Sequence, residues 1–256
     1  EDGDGRFGKE SSWIKIFEKI AEGLGPFFGG LIIVELGFNW LYGLAIFFVL
    51  LGGVPVFFDN FTKKGMHFGI GSIGKSFLQK GNREFVISFV GQGLKSVVLS
   101  AAWPLYIFLI IRKYEVIGGI QTAALLASLA LLWRVGKWID KKGSGILKYG
   151  ILINTLIWLV RSFLITPLAL FTSNVIYGFG ELLIWAPFGA LVYEAMLKRK
   201  KLEFLIMKEM IIHGTELVVC LLIWQMIKVG VDWFWIFGLG ALGLSGVSFV
   251  LRRENK

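Results

Sequence analysis

Residues 134–148 read Arg-Val-Gly-Lys-Trp-Ile-Asp-Lys-Lys-Gly-Ser-Gly-Ile-Leu-Lys, a largely polar stretch wedged between two long apolar runs. Its five cationic side chains, Arg134, Lys137, Lys141, Lys142 and Lys148, require water. The flanking runs, Ile117–Val135 and Ile146–Ile165, are each about twenty residues, the length with which a helix crosses roughly 30 Å of hydrocarbon. A tight basic turn on one side of a bilayer therefore joins two membrane crossings.

Composition agrees. The chain is 55% hydrophobic and has 33 glycines but only five prolines in 256 residues, too apolar for a soluble domain and rich in the residue that lets membrane helices approach closely. Its net charge of +9 comes from cations in short clusters between apolar runs, a pattern of cytoplasmic loops that argues against nucleic acid as a partner. The single cysteine, Cys220, lies within an apolar run, where it reads as a small core residue and excludes an intrachain disulfide.

Eight apolar segments follow one another: Ile20–Gly37, Leu41–Phe58, Phe85–Ile111, Ile117–Val135, Ile146–Ile165, Leu168–Met196, Leu202–Ile227 and Trp233–Leu251. None alternates with period two, which excludes a barrel of strands. The class expected is an all-α polytopic membrane protein with eight transmembrane helices. Between them, basic connections (Arg6 to Lys19, Lys63 to Arg83, Arg134 to Lys148, Lys198 to Lys201, Arg252 to Lys256) alternate with nearly uncharged ones (Gly37 to Trp40, Thr166 and Pro167, Lys228 to Asp232). Arg112 and Lys113, next to Glu115, are the exception on the other side. The cation bias puts both termini in the cytoplasm, in a multi-pass protein of the cytoplasmic (inner) membrane. The acidic-then-basic lead-in Glu1–Lys19 lacks the apolar core of a signal peptide. Asp59–Glu84 reads equally as a flexible linker or as a short helix on the inner membrane surface, with Phe68, Ile70, Ile73, Phe77 and Leu78 as its apolar face.

Within the basic turn Gly136, Asp140, Lys141 and Gly143 follow the spacing Gly-x-x-x-Asp-(Arg/Lys)-x-Gly, which resembles the loop signature of the major facilitator superfamily of secondary transporters. The basic pair usual after the second glycine is replaced by Ser144 and Gly145. In the first segment Gly25-Pro26-Phe27-Phe28-Gly29-Gly30 is similar to the Gly-Pro-x-x-Gly-Gly bend signature of that family's fifth helix, common in proton-coupled exporters; Ala21 stands where the fuller pattern has another glycine. The resemblance implies that the eight segments are the fifth to twelfth helices of a major facilitator-like bundle whose N-terminal half is incomplete. Residues 1–58 are then the remnant of the N-terminal bundle, 59–84 the central cytoplasmic loop and 85–256 the C-terminal six-helix bundle, built of inverted repeats. Four further N-terminal helices of the same chain are the implied partner, and the absence of an initial methionine fits a piece of a longer protein.

Polar residues inside the segments are where chemistry is expected. Lys95 lies about ten residues, roughly 15 Å, into the third segment, near the bilayer centre. Gln92, Lys95, Ser96, Ser100 and Trp103 fall within an arc of about 140° on one side of that helix. In the sixth segment Ser173, Tyr177, Glu181 and Trp185 recur every four residues. By the resemblance these segments are the family's seventh and tenth helices, which implies that Lys95 and Glu181 face one another across the central cavity. The plainer reading is a buried ion pair that fixes helix packing. A second stripe, Glu209, His213, Glu216 and Cys220, marks the seventh segment; Lys208 and Glu209 are near enough to the inner face to be solvated, and His213 and Glu216 read either as a proton relay or as a satisfied interhelical hydrogen bond. Arg161, close to the outer end of its segment, is expected to snorkel outward without a role.

The function these features point to is secondary transport of a small solute by alternating access, proton-coupled and in the manner of an exporter. Protons, the solute and the lipid bilayer are the partners, and neither a cofactor nor a metal is called for. Two other classes stay open: a polytopic membrane enzyme acting on lipid or polyprenyl substrates, and a nontransporting scaffold or receptor.

Overall fold

The computed structural model describes residues 24–58, 82–197 and 201–253 together with residue 21; the side chains of 55–58, 128–129, 131–144, 186, 201 and 252–253 are outside the described residues. Among the described residues the chain is helical and contains no strand. We number the helices α1 (Leu24–Glu35), α2 (Phe38–Phe58), α3 (Arg83–Ile111), α4 (Tyr114–Lys142), α5 (Leu147–Arg161), α6 (Pro167–Leu197), α7 (Lys201–Val229) and α8 (Trp233–Val247). They fall on the eight predicted segments. Four of them, α3, α6, α7 and α8 with its 3-10 extension to Leu251, are long and apolar enough to cross a membrane, while α1 and α2 carry shorter apolar stretches. The protein is a helical membrane protein.

Helix ends follow local chemistry. Gly37 and Gly230 adopt φ of +86° and +81°, the left-handed conformation that closes a helix, and their N–H groups return to carbonyls of the last turn. Arg112 takes the same role at φ 56° after α3, its N–H donating to the Phe108 carbonyl at 2.9 Å. Asp232 caps α8 by accepting from the Phe234 N–H at 2.7 Å. The nearly uncharged connections are thus short turns with explicit caps.

The basic turn is smaller than expected. Helix α4 runs on through Lys142 rather than stopping at Val135, and only the 3-10 segment Gly143–Ile146 separates it from α5. Lys137 to Lys142 contain no helix breaker, and their polar side chains do not oppose helix in water; Gly143 and Gly145 are where the helical pattern gives way. Gly136, Asp140 and Lys141 therefore belong to the end of a helix, and Gly143 opens the turn. The side chains of Asp140 and Lys141 lie outside the described residues, as does most of 59–84, where only the last residues are placed, beginning α3.

Packing is set by glycine. Helix α3 lies against α8 and α7, α5 against α6 and α8, and α4 against α6. At the α3–α8 seam a Cβ on Gly243 would stand 2.6 Å from the Gly91 carbonyl oxygen, and one on Gly246 2.9 Å from the Gly91 Cα. At the α3–α7 seam a Cβ on Gly93 would be 2.7 Å from the Ile212 carbonyl oxygen. Backbone against backbone is how membrane helices gain contact when lipid is as apolar as they are. One glycine of the stretch Gly25–Gly30 packs likewise: a Cβ on Gly30 would lie 2.8 Å from the Tyr114 carbonyl oxygen, and Gly118 meets the Pro26 carbonyl, so α1 seats on the start of α4. Gly25 and Gly29 make no such close approach.

Helix α3 is interrupted at Val98–Ala102 by a π turn, followed immediately by Pro104. A π turn inserts about one extra residue and rotates everything beyond it. Ser100, expected on the polar arc with Lys95, is consequently exposed, while Trp103 is buried.

Candidate functional site

Lys95 and Glu181 form an ion pair between α3 and α6. Lys95 is buried and the Glu181 side chain partly so, and the two helices do not pack along their length. Asn154 of α5 completes the group, its Nδ2 donating to Glu181 Oε2 at 3.3 Å. Gly180 makes room for it, because a Cβ there would overlap the Asn154 side-chain oxygen. One carboxylate is thereby shared between an ammonium and an amide brought from two other helices.

A second group lies toward the end of these helices at which the turn 162–166 joins α5 to α6. Arg161 is seven residues past Asn154 and Asn174 is seven before Glu181, so at 1.5 Å per residue the two tiers are about 10 Å apart. Arg161 does not snorkel. It is 0% exposed, with its guanidinium carbon 3.9, 4.3 and 4.5 Å from the ring centres of Trp103, Trp158 and Tyr177. Aromatic faces attract a desolvated cation, and guanidinium is weakly enough hydrated to enter such a box. Tyr106 roofs it, stacked on Trp103 and donating from its hydroxyl to the Ser162 carbonyl at 2.9 Å, with Phe237 of α8 against both rings. Enclosed in this way, Arg161 does not reach the surface at that end of the bundle.

Asn174 organises this tier. Its Oδ1 accepts from Trp103 Nε1 at 2.8 Å and from Arg161 Nη2 at 3.0 Å, and its Nδ2 donates to Gln121 Oε1 of α4 at 3.4 Å. Both partners of Oδ1 are obligate donors, which fixes the amide's orientation. The stripe Asn154, Trp158, Arg161 at spacings of four and three was visible in the sequence as one face of a helix, but Arg161's nearness to the segment end masked it. Asn174 and Gln121 carried no periodic signal.

The other predicted residues divide. Gln92 and Ser96 are partly buried on α3, and the Gln92 Oε1 has no hydrogen-bond partner. Trp103 and Tyr177 belong to the Arg161 box, whereas Trp185, one turn beyond Glu181, is 47% exposed. On α7, His213 Nδ1 is 2.7 Å from Glu216 and Nε2 3.4 Å from Glu209, while Lys208 pairs with Glu209 at 2.7 Å. These contacts are all within α7, so the interhelical hydrogen bond that the sequence allowed is not formed. The His213 side chain is 68% exposed, and Cys220, expected in the core, is exposed too, because this face of α7 points away from α3. Comparison with known proteins adds no relative: no family model matches the chain, and no curated protein or solved structure is similar to it. The site's own chemistry has to carry the functional reading.

Proposed function

We propose that the chain is the C-terminal portion of a secondary transporter of the major facilitator type, moving a small solute across the cytoplasmic membrane by alternating access. The observation that carries this reading is the Lys95–Glu181 pair. Two isolated charges near a bilayer centre cost together about 5–7 kcal/mol, and a pair that merely held two helices together is replaceable by apolar side chains at no loss. A pair that joins helices whose backbones stay apart, and which meet otherwise only through side chains such as Trp103 with Asn174 and Phe89 with Phe188, is suited to being made and broken. The seating of α1 on α4 through Gly30 and Gly118 supports the family reading of the bend signature.

Proton coupling forms part of the proposal, with Glu181, His213 and Glu216 as the titrating groups. His213 held between two carboxylates on an outward face of α7 has no counterpart in lipid, where such groups are costly. A wet cavity closed by the helices of an N-terminal half accounts for it.

The test uses single cysteines in the native chain after Cys220→Ser. A cysteine at Ser96, beside the ion pair, should react with an impermeant maleimide in right-side-out and in inside-out vesicles. Labelling from one side only, or from neither, would refute alternating access.

A further inference from the structure

We propose that the Arg161 box is an anion subsite and that the transported solute is a small anion; this rests on the transport reading above and adds the solute's class. Charge is the first argument. The core formed by α3, α5 and α6 holds two cations, Lys95 and Arg161, and one carboxylate, Glu181, already paired with Lys95. Among the described residues no carboxylate lies within ion-pair range of Arg161. A guanidinium does not lose its charge in a protein, so this core is one negative charge short.

Hydrogen bonding is the second and independent argument. Arg161 Nε and Nη1 and Trp158 Nε1 are fully buried and have no hydrogen-bond partner. All three are donors and none is able to accept, so only an acceptor satisfies them. Ring faces cover the guanidinium plane, but the N–H groups at its edge are left over. Leaving buried donors unpaired costs stability that a purely structural box of leucine or methionine would not lose. Three obligate donors without a partner, beside two buried hydroxyls, Tyr177 and Ser162, that are free to take either role, and a cation with no carboxylate in ion-pair range describe, in one place, a site for a small anion.

Access comes from α3. Trp103, which covers one side of Arg161, follows directly on the π turn Val98–Ala102 and precedes Pro104, which has no N–H to return to the preceding turn. Rotation of this weakened segment lifts Trp103 and opens the box, and its return occludes the anion. The same helix carries Lys95 one tier below, so opening the box and loosening the ion pair are movements of one element.

The experiment is thermal unfolding of the native chain in detergent, titrated with acetate, chloride or inorganic phosphate at constant ionic strength against gluconate, and separately with tetramethylammonium. At least one small anion should raise Tm saturably; Arg161→Gln should abolish that response and Arg161→Lys weaken it severalfold. No response to any anion, an undiminished response in Arg161→Gln, or stabilisation by tetramethylammonium in its place overturns the proposal. Should Arg161→Gln not fold, Trp158→Phe removes one donor and keeps the ring, and an unchanged anion response in that variant overturns it equally. Two-sided labelling at position 96 without an anion response would leave a transporter whose solute is not an anion. An anion response without two-sided labelling would mean that the subsite stands and transport fails.

Discussion

Lys95 on α3 and Glu181 on α6 are joined by an ion pair across two helices whose backbones stay apart, and Asn154 on α5 holds the far oxygen of the same carboxylate. Removing either charge leaves the other buried without its partner. Lys95→Met or Glu181→Gln should each destabilise the protein by about 3–5 kcal/mol, whereas the double replacement Lys95→Met with Glu181→Leu should recover most of that loss. Thermal unfolding in detergent reads all three variants, and additive losses in the double variant would show that the charges do not depend on one another.

Gly180 is the position where the Asn154 contact is most easily broken. A Cβ there overlaps the Asn154 side-chain oxygen, so Gly180→Ala must push the amide away from Glu181. The expected cost is about 1–3 kcal/mol, the loss of a buried hydrogen bond to a charged acceptor. Shortening the clashing residue should relieve it, so Gly180→Ala with Asn154→Ala should cost less than the two singles added. A cycle without coupling would place the strain elsewhere.

The glycine seams allow the sign of a substitution to be decided from space alone. Gly243→Ala sets a methyl 2.6 Å from the Gly91 carbonyl oxygen, backbone that cannot yield without parting α3 from α8. Nothing lies within 4 Å of a Cβ at Gly119 in α4, where alanine gains about 0.5–1 kcal/mol of helix preference. Gly243→Ala should lower Tm clearly while Gly119→Ala leaves it unchanged or raises it. Equal effects at the two positions would mean that the seam is looser than the distances imply.

How far the sequence could be read depended on the kind of signal. Continuous apolar runs placed the helices, because the length needed to cross a bilayer is fixed by geometry and not by tertiary context. Periodicity put Lys95 and Glu181 each on a polar stripe, while the expectation that they meet came from the cost of leaving two intramembrane charges unpaired and from the family resemblance. Periodicity failed for Ser100, which lies in a π turn that no composition announces and is exposed, while Trp103 beyond the turn is buried as expected. Arg161 was misjudged because depth was taken from distance to the segment end, when what buries it is an aromatic roof contributed by Trp103, Tyr106 and Tyr177 on other helices. Only the three-dimensional meeting of those rings discloses the box. Cys220 is exposed where a core position was expected, because the periodicity of α7 does not say which of its sides faces the neighbouring helices.

Orientation is the last expectation, and it follows from where the cations stand. The short capped turns at Gly37, at Ser162 to Thr166 and at Gly230 alternate along the chain with the connections at 59–82, 143–146 and 198–200, so the two sets belong to opposite ends of the helices. Lysine and arginine crowd the second set, and cations near the ends of crossings stay on the cytoplasmic side. Arg112 and Lys113 at the α3–α4 turn are the exception, too few to reverse the balance. In a Cys220→Ser background, a cysteine at Thr166 should react with an impermeant maleimide added to intact cells, and one at Ser144 should react only after the membrane is opened. Labelling of Ser144→Cys in intact cells would invert the whole arrangement, and with it the assignment of the Arg161 box to the outer half of the membrane.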